Sequence, residues 1–134
     1  YQKKNERPLL GFFTGSEYPL FRYDAAKKLP ENQPLRPEDF NVDKYLDDCD
    51  RLFDEHETCG GDFIWSASAF WGISWLEAAL GCNLIANHST GSINTQPPES
   101  FNGTNSIPGF DKQSPWMNKT VEFLVKMAER SKGR

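Results

Sequence analysis

A chain of 134 residues, 37% hydrophobic and 13% aromatic, has material for one modest core and too little for two domains. Its formal charge of -4 and pI near 5.2 exclude a nucleic-acid binder, because phosphate backbones are gripped by clustered Lys and Arg. Basic residues concentrate only at Lys27-Lys28 and from Lys126 to Arg134, where a solvated helix face or a helix C-terminus would place them. No apolar run nears the roughly 20 residues that cross a bilayer, and no leader with a basic start and apolar middle is visible, so no membrane partner is expected.

The first element is Arg7 to Thr14, a Pro followed by a continuous apolar run, which predicts a strand buried on both faces. Gly15-Ser16-Glu17-Tyr18-Pro19 is turn chemistry, Leu20 to Leu29 suits a short helix, and Pro30 to Pro37, with three prolines, reads as a loop. From Asn41 the period becomes helical. Tyr45, Leu46, Cys49, Leu52, Phe53 and His56 form one stripe, and Asp47, Asp48, Asp50, Arg51, Asp54 and Glu55 stand largely opposite as a solvated face. Asn41 is its N-cap, Asp43 suits the positive helix start, and Gly60-Gly61 stops it.

Phe63 to Ala67 predicts a second buried strand. Ser74-Trp75-Leu76-Glu77 carries the S-x-x-E capping box of a short helix that runs to Leu80 and ends at Gly81, and Cys82 to Ala86 fits a third strand. Residues 87–113, rich in Asn, Ser, Thr, Gly and Pro, read as a long loop anchored by Ile93, Phe101, Ile107 and Phe110. The last element is a helix with Ser114 as N-cap and Pro115 at its first position. Trp116, Thr120, Phe123 and Met127 form its stripe, with Val121, Leu124 and Ala128 alongside.

Strands separated by helices imply parallel pairing, and a parallel sheet needs both faces covered. The fold class expected is therefore α/β, with 1–134 forming a single partial domain. The alternative is a small self-contained α/β or α+β domain that uses an aromatic surface to bind or assemble. Cys49, Cys59 and Cys82 form no C-x-x-C pair and suit buried thiols in a reducing cytoplasm better than a disulfide framework. Three N-x-S/T tripeptides begin at Asn87, Asn102 and Asn118 and would matter in a secreted protein.

The stretch DFIWSASAFWGISWLEAALGC, Asp62 to Cys82, resembles a segment of uroporphyrinogen decarboxylase-like proteins and the related corrinoid-linked methyltransferases, where a barrel strand runs into a W-x-E-A-x-x-G-C helix. Leu35 to Glu57 is similar to the helix before that strand, Arg7 to Tyr23 to the first strand and its loop, and SPWMNKTVEFLVKMAERSKGR to the helix leading to the third strand. The resemblance spans nearly the whole chain and implies the N-terminal portion of a (β/α)8 TIM-type barrel, incomplete in this chain. Two departures stand out. Thr14-Gly15-Ser16-Glu17 occupies the place of the family's Arg-rich loop, and no Asp lies between Trp65 and Leu76, where the family holds pyrrole nitrogens. A polycarboxylate tetrapyrrole would find its charges unpaired there, so the resemblance implies methyl transfer from a corrinoid or decarboxylation of a small acid, and not uroporphyrinogen decarboxylation.

Barrel chemistry gathers at the C-terminal ends of the strands, which selects Thr14, Gly15 and Ser16 after the first and Ser68, Phe70 and Trp71 after the second as substrate-binding candidates. The hydroxyls would hydrogen-bond a small-molecule or tetrapyrrole-like ligand, and the two rings would either stack on it or close the core beneath a loop. Glu77 is assigned to the capping box. No cofactor is evident in these residues; the resemblance implies zinc or a corrinoid in an intact family protein, with zinc ligands on later strands. The expected partner is the remainder of the barrel or a homo-oligomer copy.

Overall fold

In a computed structural model the described residues are 10, 17–62, 66–69, 72–98, 101–103, 109 and 111–132. Among them lie four α-helices, α1 (Pro19–Arg22), α2 (Val42–Thr58), α3 (Trp75–Ala79) and α4 (Pro115–Arg130), and two strands, β1 (Asn83–Asn87) and β2 (Ser92–Gln96). No helix among them is long and apolar enough to cross a membrane.

Helix α2 forms where the 3.6-residue period predicts it. The Asn41 side chain accepts from the Lys44 amide at 3.1 Å, and Gly60, at φ +65°, supplies the left-handed step past the C-terminus. Tyr45, Leu46, Cys49, Leu52 and His56 are buried, with Phe53 half-buried beside them. The acidic face contains an exception: Asp48 is buried, accepting from the Ala25 amide at 2.9 Å and from the Arg51 guanidinium at 3.3 Å. That bond also explains the break in the helix expected over Leu20 to Leu29. The chain makes one turn at α1, goes extended at Tyr23, and makes a 3-10 turn at Ala26–Lys28, because Asp48 takes the Ala25 amide that a continuous helix would use.

Helix α3 starts at Ser74 without the capping box. Ser74 makes no side-chain cap bond, and Glu77 is exposed. Burial of Trp75 sets the entry instead: its indole N–H donates to the Ala69 carbonyl and its backbone N–H to that of Ile73. A ring of that size, wholly buried and hydrogen-bonded, outweighs a hydroxyl cap of about 1 kcal/mol.

The third expected strand is β1, and it pairs antiparallel with β2, Asn83 opposite Gln96 and Asn87 opposite Ser92. Strand β2 lies inside the segment 87–113 expected as loop. Its single buried apolar residue, Ile93, faces the core while Asn94 to Gln96 face solvent. The turn is built by Asn87, whose side-chain oxygen accepts from the Ser89 and Thr90 amides, and by Gly91 at φ +74°. On the other edge of β1 the proline-containing segment makes isolated bridges, Glu31 to Ala86 and Pro34 to Ile85, and Leu35 donates to the Leu84 carbonyl at 2.8 Å. Prolines without an N–H keep this edge from becoming a full ladder.

Of the strand expected over Arg7 to Thr14 only Leu10 is described, and of that over Phe63 to Ala67 only Ser66 and Ala67, which have no regular structure. Leu10 and Asp62 face each other through two bonds, the Asp62 amide to the Leu10 carbonyl at 2.7 Å and the Leu10 amide to the Asp62 carboxylate at 3.1 Å.

The core is aromatic where the helices meet. Phe40 stacks near Trp75 (5.3 Å between centroids) and Trp116 (5.7 Å), and Phe123 meets Tyr45 (5.6 Å) and Trp75 (5.9 Å). Helix α4, capped by the Ser114 hydroxyl on the Met117 amide at 3.2 Å, presents Thr120 and Phe123 to this cluster. Its C-terminal half is tied to α2 by ion pairs, Lys126 to Asp43 at 2.8 Å and Arg130 to Asp47 and Asp50 at 2.6 Å each.

Candidate functional site

Thr14, Gly15, Ser16, Phe70 and Trp71 lie outside the described residues. Ser68 is described and exposed. Described residues that follow these candidates in sequence do meet. Pro19, three residues after Ser16, packs on Gly72, next to Trp71: a β-carbon on Gly72 would lie 2.9 Å from the proline ring. The Leu20 amide donates to the Gly91 carbonyl at 3.0 Å, and the Phe21 ring covers Gly91 so closely that a β-carbon there would stand 2.5 Å away. Both glycines have positive φ, +67° and +74°, so a side chain at either would clash and strain the backbone. Helix α1 thus joins the loops after the two expected strands to the tip of the hairpin.

At this junction Tyr18 and Phe21 are about half exposed, edge to face with centroids 6.5 Å apart. Reading the chain by strand ends directs attention to Phe70 and Trp71 and misses this pair. Glycines spaced far apart in sequence, each opposite a residue of the P-L-F turn, are a signal visible only in three dimensions.

Behind α1 the chemistry is inert. Burial pushes the Cys49 thiol up to about 11, with Asp48 and Asp50 adding to it, so at neutral pH it is neither nucleophile nor thiolate ligand. Burial, with Cys49 nearby, likewise raises Tyr23 to about 12, and Tyr45 is raised further still by burial. The buried Tyr45 hydroxyl has no hydrogen-bond partner among the described residues.

The imidazoles are held by carbonyls: Nδ1 of His56 lies 2.7 Å from the Leu52 oxygen and Nε2 of His88 lies 2.9 Å from the Leu29 oxygen. Among the described residues no three His, Cys, Asp or Glu side chains gather as a metal site. The described residues offer no zinc site of their own, and the resemblance puts the family's zinc ligands on later strands. Nor do the helix α2 carboxylates form an open acidic cluster, since Asp43, Asp47 and Asp50 are spent on Lys126 and Arg130. A shallow, open groove lined by Arg51, Asp54, Glu55, Thr58 and Cys59 runs along the end of α2, with Arg51 and Glu55 paired at 2.8 Å. When the chain is compared with known protein families, with curated proteins and with solved structures, no match is found in any of the three.

Proposed function

We propose that the chain is the N-terminal portion of a uroporphyrinogen decarboxylase-like (β/α)8 barrel, whose intact form transfers a methyl group from a corrinoid or decarboxylates a small acid. The observation that carries this reading is the outward side of α4. Val121, Leu124 and Val125 are 52%, 42% and 50% exposed, and Leu76 of the adjoining α3 is 57% exposed. In a barrel, a crossover helix has one side on the sheet and is followed by the strand that covers it.

The activity rests on the resemblance of the Asp62 to Cys82 stretch and on the lack of cations after Thr14, which disfavours a polycarboxylate substrate. Thr14, Gly15, Ser16, Ser68, Phe70 and Trp71 are the ligand-facing residues in this reading. Pro19 on Gly72 supports a shared pocket for the two loops. Residence in the cytoplasm belongs with the same proposal, and the three free cysteines support it. The alternative is a binding or assembly module that uses an aromatic surface; the exposed side of α4 is aliphatic, which favours a covering strand.

The test is to express the chain together with the sequence encoded after Arg134 and assay three reactions: methyl transfer from methylcobalamin to a thiol, decarboxylation of small carboxylic acids, and decarboxylation of uroporphyrinogen. Turnover in either of the first two with uroporphyrinogen untouched is expected. A protein inert in the first two overturns the reading.

A further inference from the structure

We draw no further inference here: the strongest candidate, the half-exposed Tyr18–Phe21 aromatic pair where α1 meets the tip of the β1–β2 hairpin, is an apolar surface patch, and nothing among the described residues shows what covers it.

Discussion

Helix α4 has two apolar sides with opposite fates. On one, Thr120 and Phe123 are buried and Trp116 and Met127 half-buried against α2, α3 and Phe40. On the other, Val121, Leu124 and Val125 stand in solvent beside Leu76. Residue type alone does not separate the sides, since both are rich in large apolar groups. They differ in what faces them: aromatic rings from three other elements meet the first, and no described residue buries the second. A helix that is apolar over so wide an arc is designed for contact on both sides.

Truncation separates the two sides most sharply. Phe123→Ala removes a ring that touches Tyr45 and Trp75, and a loss of about 3–5 kcal/mol in urea unfolding is expected. Leu124→Ala, one residue on, is expected to change the stability of the chain by less than about 0.5 kcal/mol. Equal costs would mean that the outward side is already covered.

The inner side also carries a signature in pH. The Cys49 thiol is raised from its ordinary 9 to about 11, and the Tyr23 phenol from 10 to about 12. Both folded-state values lie above the unfolded ones, so this contribution is complete below about pH 9. As pH rises from there the unfolded chain gives up protons that the folded chain retains, and stability falls toward pH 11 and 12. Melting curves should show a loss of up to about 5 kcal/mol across that window, about 1.4 kcal/mol for each unit by which each of the two groups is raised, with the Cys49→Ala variant lacking its first part. A flat alkaline profile would break the claim that these groups are tightly packed.

Tyr45→Phe sharpens the comparison in the opposite direction. It deletes a buried hydroxyl that lacks a partner, and a gain of about 1 kcal/mol is expected from denaturant titration. A loss instead would reveal a partner for the hydroxyl. A small effect belongs also to the exposed rim of the α2–α4 contact. Arg130→Ala should cost less than about 1 kcal/mol, and the difference from the parent should shrink as salt is added.

The long helices were legible because period, cap and stop agree: Asn41 with Gly60 for α2, and Ser114 with Pro115 for α4. Strand β2 was not, because Ser92-Ile93-Asn94-Thr95-Gln96 has one buried apolar residue and otherwise the composition of a loop. Its register comes from the Asn87–Gly91 turn and from pairing with β1. Asp48 was misread as solvated because its partner, the Ala25 amide, is 23 residues away and belongs to a break in a helix that local sequence would continue. The Ser74–Glu77 box was overridden by Trp75, a tertiary demand stronger than a local cap. At the candidate site, strand-end reasoning selected residues of which only Ser68 is described, and it passed over Tyr18 and Phe21. Their placement depends on Gly91, which belongs to a hairpin the sequence conceals.

The central claim is that the outward side of α4 is made to be covered by more of the same polypeptide. Alkylation of a Leu124→Cys variant, in a Cys59→Ser, Cys82→Ser background, tests it most directly when run on the chain alone and on the chain with the sequence encoded after Arg134. The account predicts rapid labelling in the first and at least tenfold slower labelling in the second, as expected for a buried position opened only by local unfolding. Equal labelling rates in the two would contradict it.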